Sequence, residues 1–406
     1  MSVAYASTLD LQAIKGIRIG TALAGIRQNE RDDIVVFELS EKTNLAATFT
    51  KNKFCAAPVI VAKEHLEIDQ PRYLLVNSGN ANAGLGALGV DTAQKSCEGL
   101  AALATTEKST ILPFSTGVIG EPLPLNKLLL ALPIALKSLS EKNWDKAAKG
   151  ILTTDTCTKG CTRQLEIDGL TATITGIAKG SGMIKPDMAT MLAYIATDLP
   201  ISQGVLQGLL KQAVDVSFNS ITVDGDTSTN DAAILMATNE LDIKPIKSPD
   251  DPRCNAILAE LINVCCYLAE AIVKDGEGAT KLIKIQVNHA ANLADAREVA
   301  YTVAHSPLVK TAFFASDPNW GRILAAVGRA NIKQLNVDNI SIYLADTCIV
   351  KSGMRDSRYT EEQGQTVMNQ HEILLTIDLA EGDASTTILS CDLSYDYVKI
   401  NAEYRS

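Results

Sequence analysis

Histidine is scarce in this sequence: the 406 residues include four, and none lies beside a Ser or Cys in a nucleophile-elbow or papain-like context. A Ser-His-Asp or Cys-His mechanism therefore has little support. His305 is an isolated candidate base, and a structural role is the favoured interpretation. The chain also lacks GxGxxG after a strand and GxxxxGK[ST], and KDGEGATK at 274–281 has the wrong spacing for a phosphate loop. We expect no nucleotide cofactor and no other cofactor.

A basic surface is missing as well. There are 37 basic and 47 acidic residues, giving a net charge of -10, and no stripe of Lys and Arg of the kind that binds a phosphate backbone. The longest apolar stretch, 125–139, is too short and too interrupted by Lys and Pro to span a bilayer, and we interpret it as a buried or half-buried helix. The N-terminus resembles neither a signal nor a transit peptide. The sequence thus predicts a cytoplasmic protein without nucleic-acid or membrane partners.

Metal-site patterns are weak. The nine cysteines are an odd number, and Cys265 and Cys266 lie in an apolar helical pattern, which favours reduced, packed thiols. Cys157 and Cys161 form a lone C-x-x-x-C with no nearby His, whereas zinc needs four ligands. The acidic segment TVDGDTSTND, 222–231, lacks the order of an EF-hand and is interpreted as a structural loop rich in turns. We expect no metal.

What is present is a strand and helix alternation along a chain long enough, at 46% hydrophobic residues, for two or three folding units. The periodicities predict strands at 170–178 and 191–196, separated by a Gly- and Pro-containing segment, and a later strand at 281–288. They also predict a helix at 199–219 and a longer one whose apolar positions run from 257 to 272. Asp250 or Asp251 is placed to cap the longer helix, with Pro252 at its start. A soft domain boundary is expected near residue 280.

The remaining candidates for chemistry are hydroxyls and amides, at 77–80, 115–117 and Thr190. A Thr hydroxyl is a competent nucleophile if its own α-amine, which titrates near pH 8, is the general base. An internal Thr must first become N-terminal by cleavage, and the Ala189–Thr190 junction, between upstream glycines, a proline and a strand, is a plausible place. On pattern alone, Thr190 is also consistent with an ordinary strand threonine.

Sequence blocks across nearly the whole chain resemble one enzyme family, the glutamate N-acetyltransferases, also called ornithine acetyltransferases. In family order, the blocks are VNSGNANAG (76–84), STGVIGEPLP (115–124), TTDT (153–156), KGSGMIKPDMATMLAYIATD (179–198), FNSITVDGDTSTND (218–231), KDGEGATK (274–281), DPNWGRILAAVGRA (317–330) and INAEYRS (400–406). Several are long enough to be highly specific. The resemblance implies an enzyme of arginine biosynthesis that transfers acetyl from N2-acetyl-L-ornithine to L-glutamate, and some members also accept acetyl-CoA.

The resemblance also implies roles for individual residues. Thr190 is the nucleophile and first residue of a β chain, Ala189 ends the α chain, and Thr116 and Gly117 form the oxyanion hole. The residues implied around the amino-acid substrate are Thr153, Lys179, Thr190, Glu277, Asn401 and Ser406. Without the resemblance, Lys179 and Glu277 read as surface charges and the last residues as a frayed tail.

The implied architecture is an α/β fold with a layered αββα core of the N-terminal-nucleophile type. The core covers residues 1–280, and a smaller C-terminal α/β domain covers 281–406 and returns its tail to the site. An α2β2 heterotetramer of the cleaved chains is implied too. An alternative is an N-terminal-nucleophile amidase or aminopeptidase that gives its acyl group to water. A third possibility is a non-enzymatic small-molecule binding protein, for which an intact chain and no acetyl adduct are expected.

Two positions depart from the family pattern. Ser406 stands where the family often has Thr, and it keeps the hydroxyl. Asp187 stands where the family more often has Asn and puts a carboxylate three residues before the nucleophile. We hypothesise that Asp187 slows or reshapes cleavage without abolishing it.

Overall fold

The computed structural model describes residues 3, 9–27, 30–185 and 191–403. The strands are β1 Ile17–Ala22, β2 Ile34–Leu39, β3 Asn44–Phe49, β4 Tyr73–Asn80, β5 Ile111–Val118, β6 Lys159–Ile167, β7 Leu170–Lys179, β8 Leu192–Thr197, β9 Ala232–Ala237, β10 Leu282–Ala290, β11 Ser341–Leu344, β12 Thr347–Lys351, β13 Met354–Arg355, β14 Glu372–Asp378 and β15 Ala384–Cys391. The α-helices are α1 Ala57–Ile68, α2 Ala87–Ala104, α3 Leu125–Lys137, α4 Trp144–Gly150, α5 Gln203–Val216, α6 Arg253–Lys274, α7 Leu293–Ala304, α8 Pro307–Phe314, α9 Trp320–Gly328, α10 Glu361–Met368 and α11 Tyr395–Ala402. Short 3-10 helices lie at Lys108–Thr110, Phe218–Ser220 and Val337–Asn339.

The first sheet has the strand order β1-β2-β4-β5. Strands β4 and β5 are parallel because helix α2 connects them, and the other pairs are antiparallel. Strand β2 is buried on both faces, with Ile34 and Val36 packed under α1, α2 and α3 and with Val35 and Phe37 on the opposite side. The sheet therefore has a helical layer on one face and a second apolar layer on the other.

The second sheet, in the order β3-β9-β8-β7-β6, supplies that second layer. Its Tyr194 ring stacks on Phe37 of the first sheet at a centroid distance of 5.0 Å. Neighbouring Ile195 points the other way, into a core shared with α5 and α6. The layers thus run helix, sheet, sheet, helix, and the predicted αββα class is confirmed.

A third sheet, in the order β13-β12-β11-β14-β10-β15, follows. Its core is separate and includes α7, α8, α9 and α10. The predicted strand at 281–288 is β10, in which Ile283, Ile285 and Val287 are buried. This is the smaller α/β unit, and its division from the core at residue 280 stays a prediction.

Helix α6 lies against the second sheet and leads into the site. Its N-cap residue is Pro252, which has no side-chain cap hydrogen bond, and the neighbouring Asp251 Oδ1 accepts the Arg253 backbone N–H at 3.0 Å. The helix is long and apolar enough to cross a membrane by length and composition, yet half of its most apolar window is buried in the protein. Helix α3 is half-buried as predicted, since Leu128 and Leu132 are enclosed while Leu130 is 77% exposed.

Candidate active site

A cavity of about 290 Å³ lies where several strand and helix ends meet. Its lining comprises Thr116, Gly117, Val118, Ile119, Thr153, Thr154, Lys179, Gly182, Met183, Ser228, Thr229, Asn230, Glu277 and Asn401. This set contains every site residue implied by the resemblance that falls within the described ranges. Asp187, Ala189, Thr190 and Ser406 lie outside the described residues.

Strand β5 supplies the predicted oxyanion-hole pair near its carboxyl end. Thr116 is 6% exposed, and Gly117 pairs in register with Gly79 of β4. Gly117 has φ 135°, and a Cβ there would lie 2.2 Å from the Gly79 carbonyl carbon. Because such an approach is impossible for any side chain, the two strands fix Gly117 as glycine.

Side-chain amides hold this strand end in place. The Ser115 hydroxyl donates to Asn77 Oδ1 at 2.6 Å, so both are used in buried structural contacts. Asn230 Nδ2 donates to the carbonyls of Ala81 at 2.7 Å and Ser115 at 2.9 Å. Asn230 thereby ties the 222–231 loop to the residue before Thr116, a role that the sequence did not single out.

Lys179 ends strand β7 and points its amine at the cavity wall. Its Nζ donates to Thr153 Oγ1 at 3.2 Å. Burial lowers the pKa of Lys179 below its ordinary value, and the carboxylates of Asp155 and Asp231 offset part of that effect. The result is a partly desolvated ammonium group beside a hydroxyl, an arrangement suited to a carboxylate ligand.

Glu277 faces the same cavity from the loop after α6. Only 7% of the residue is exposed, and its Oε2 accepts a hydrogen bond from Asn401 Nδ2 at 2.8 Å. The carboxylate packs on Gly182, where a Cβ would lie 2.4 Å from Oε2. Glu277 is therefore a buried group. Its partner Asn401 lies in the last turn of helix α11.

The acidic loop at 222–231 is structural. Asp224 accepts the backbone N–H groups of Met183 at 2.7 Å and Ile184 at 2.9 Å, which fixes the turn after β7. Within the described ranges, no group of three or more His, Cys, Asp or Glu could hold a metal ion. The loop therefore supports the chain next to the cavity.

His305 lies outside the cavity lining. Its Nε2 is 3.0 Å from Thr222 Oγ1, and its ring stacks on Tyr301. Burial, together with the charges of nearby Lys and Arg side chains, lowers the pKa of His305 to about 4. The imidazole is neutral at physiological pH and has the structural role that the sequence favoured.

The αββα layers thus carry a cavity in whose described lining no histidine lies. The chain belongs to the ArgJ family, whose sequence model matches residues 18–406. It is 54% identical over 400 residues to the arginine biosynthesis bifunctional protein ArgJ of Methylococcus capsulatus, covering 98% of both chains. Identity to the protein of that name from Pseudomonas syringae is 51% over 406 residues, covering 100% of both.

Among solved structures, the argJ protein from Bacillus halodurans is 38% identical and covers 51% of this chain and 96% of its own, with a TM-score of 0.49. The family membership confirms the predicted enzyme, a glutamate N-acetyltransferase or ornithine acetyltransferase that transfers acetyl groups in arginine biosynthesis. The amidase alternative is not favoured by matches of this length and identity.

Proposed function

We propose that the Thr190 hydroxyl attacks the acetyl carbonyl of N2-acetyl-L-ornithine, that ornithine leaves, and that glutamate takes the acetyl group from Thr190. The α-amine of Thr190, freed by cleavage after Ala189, takes and returns the proton. The observation that carries the proposal is the single cavity lined by Thr116, Gly117, Thr153, Lys179, Glu277 and Asn401, which come from distant parts of the chain.

In this mechanism, the Thr116 hydroxyl and the Gly117 N–H stabilise the negative charge that develops on the acetyl oxygen. Such donors act where charge forms in the transition state, and losing one typically costs about a hundredfold or more in rate. The close register of Gly117 with Gly79 supports this assignment, because it holds the backbone donor rigidly.

Each substrate offers an α-carboxylate and one ammonium group. In acetylornithine, whose α-nitrogen is an amide, it is the side-chain ammonium; in glutamate it is the α-ammonium, which loses a proton before it attacks the acetyl carbonyl. Lys179 binds the carboxylate and Glu277 binds the ammonium group, since each is the only charge of its sign in the described lining of the cavity. Thr153 and Asn401 already contact these two side chains and hold them in position. Ser406 completes the substrate site as the resemblance implies.

Donor and acceptor occupy one pocket in turn, so the kinetics are ping-pong and the reaction needs no cofactor. Acetyl-CoA is a second acetyl donor, in keeping with the word bifunctional in the names of the relatives. A cytoplasmic location and an α2β2 assembly of cleaved chains belong to the same proposal. A partly dry site is required, because water competes for the acetyl-threonine intermediate.

The deciding experiment is the intact mass of the purified protein under denaturing conditions, beside a Thr190→Ala control. Two fragments divided between Ala189 and Thr190 in the wild type, and a single chain in the control, support the nucleophile. An uncleaved wild type after long incubation deprives the mechanism of its base.

Initial rates with acetylornithine and glutamate then test the transfer. Parallel double-reciprocal lines and one added acetyl group on the fragment that begins with Thr190 are expected. Intersecting lines indicate a ternary complex instead. Release of acetate from acetylornithine without glutamate indicates the amidase.

A further inference from the structure

A buried ion network lies behind the cavity and consists of Lys159, Asp155 and Asp275. Lys159 Nζ is 2.7 Å from Asp155 Oδ1 and 2.6 Å from Asp275 Oδ2, and the three side chains are at most 1% exposed. The third acceptor near the ammonium group is the Cys157 carbonyl at 3.4 Å. All three N–H donors of the lysine thus have a partner inside the protein.

Asp155 connects two of the segments that line the cavity. Its Oδ2 accepts the Thr153 backbone N–H at 2.9 Å, and its Oδ1 accepts the N–H of Gly180, which follows Lys179, at 2.7 Å. The carboxylate therefore sets the separation between the Thr153 loop and the end of β7, and with it the position of the Lys179–Thr153 contact.

Asp275 connects the same loop to the third segment. Its carboxylate accepts the Thr156 N–H at 3.1 Å, and its own carbonyl accepts the Ser181 hydroxyl at 2.6 Å. The Ser181 carbonyl in turn accepts the Glu277 N–H at 3.0 Å. The turn after Lys179 and the loop that carries Glu277 are thereby joined through Asp275.

Stability alone does not explain three charged groups at this depth. Removing ions from water carries a desolvation cost that often exceeds their mutual attraction, and apolar groups of similar volume frequently serve as well. An apolar replacement does not reproduce the hydrogen bonds that backbone N–H groups of the cavity segments donate to the two carboxylates. Burial alone would raise the pKa of Asp155, yet Lys159 and Lys179 hold it below its ordinary value, so its charge persists at neutral pH.

We infer that Lys159, Asp155 and Asp275 are positioning residues that set the distance between the carboxylate-binding Lys179 and the ammonium-binding Glu277. This inference rests on the substrate roles given under the proposed function. None of the three side chains lines the described part of the cavity, so none is placed to contact the substrate. The network acts by fixing the three segments that line it.

The test is the double variant Lys159→Met/Asp275→Asn, which removes one charge of each sign and approximately keeps the volume. The matched control is Lys211→Met/Asp215→Asn, which makes the same changes in an exposed pair with an N–O distance of 3.0 Å. Calorimetric Kd values for L-glutamate and L-ornithine are measured beside kcat and KM per active site and a thermal melt.

We expect Kd and KM to rise in the double variant, because Lys179 and Glu277 no longer match the spacing of the ligand charges. We expect kcat/KM to fall about tenfold or more, since a misplacement of roughly 1 Å costs up to about a hundredfold in rate. The control keeps wild-type values. A folded double variant whose melting temperature falls while Kd, KM and kcat stay within twofold of wild type overturns the inference, because the network is then only structural.

If the double variant does not fold, Asp275→Asn decides, since it keeps the volume of the side chain but removes the charge that contacts Lys159 and accepts the Thr156 N–H. A Kd raised several-fold supports the inference, and an unchanged Kd overturns it. Wild-type binding of both ligands without acetyl transfer refutes the proposed mechanism alone, whereas no wild-type binding refutes the substrate roles and this inference together.

Discussion

The side-chain amide of Asn401 donates a 2.8 Å hydrogen bond to Glu277 Oε2 and so joins helix α11 to the loop after α6. The two residues are 124 positions apart in the sequence. This contact orients one carboxylate oxygen and closes one side of the cavity with the last helix of the described chain. Helix α11 is consequently part of the cavity wall.

Variants of Glu277 and Asn401 distinguish the effect of the Glu277 charge from the effect of its orientation. Glu277→Gln keeps an acceptor for Asn401 but removes the negative charge. The value of kcat/KM for acetylornithine is expected to fall about 10- to 150-fold, because a hydrogen bond to a charged group contributes about 1.5–3 kcal/mol. Asn401→Ala keeps the charge and frees its orientation, so a several-fold rise in KM is expected. Steady-state kinetics distinguishes them, and equal effects of the two variants would contradict this distinction.

The fold was predictable from sequence where periodicity is strong. The alternation at 170–178 indicated β7, and the apolar spacing at 257–272 indicated α6. Both patterns exist because each element buries a defined face. The pairing of the two sheets through Phe37 and Tyr194 was beyond reach without the family resemblance, since it depends on residues far apart in sequence.

The candidate site shows the same division. The resemblance named six cavity residues in advance, whereas Asp155, Lys159 and Asp275 were not singled out. Asp155 and Lys159 are four positions apart and of opposite charge, a signal that in a loop predicts only a weak surface pair. Their complete burial distinguishes them from a surface pair, and sequence spacing does not reveal burial.

Gly117→Ala is expected to lower kcat about a hundredfold or more, because the added Cβ forces β5 away from Gly79 and displaces the oxyanion donor. Gly120→Ala is the matched control. Gly120 also has a positive φ, 84°, but a Cβ there meets nothing within 4 Å. The control therefore loses only about 1–2 kcal/mol of stability to backbone strain. Comparable kcat values for the two variants would refute the role of Gly117.

Substrate affinity should depend on the ionisation of Lys179. Burial lowers its pKa, so the ammonium group is lost at a lower pH than for an exposed lysine, and KM for glutamate is expected to rise there. In Lys179→Met, KM for glutamate should be high at every pH and should not show this rise. The free energy of unfolding changes in the opposite sense and increases with pH. The penalty for burying the Lys179 charge disappears as pH rises from the lowered pKa towards 10.5, the ordinary value. A KM profile identical in both proteins would exclude Lys179 from carboxylate binding.

Asp187→Asn restores the residue that the family more often has before the nucleophile. Cleavage after Ala189 is expected to become faster or to change its pH dependence, and wild-type cleavage is expected to be slow but complete. Time courses of fragment formation by denaturing electrophoresis measure both. Superimposable courses would remove any role of the carboxylate.

Asp231 is a buried carboxylate, 3% exposed, and its Oδ2 has no hydrogen-bond partner among the described residues. Burial raises its pKa well above the ordinary value, although Ser228 and Lys179 offset part of the shift. A raised pKa means that its contribution to stability is complete below the unfolded pKa of 3.8 and is lost as pH rises through the folded pKa.

Asp231→Asn carries no such ionisation, so its stability relative to wild type should increase with pH. We expect the gain at pH 8 to exceed the gain at pH 4, because only the wild-type carboxyl group can ionise between these two pH values. Urea unfolding at the two pH values measures it, with the exposed Asp226→Asn as control. A gain that is equal at both pH values would mean that Asp231 ionises in the fold as readily as in the unfolded chain.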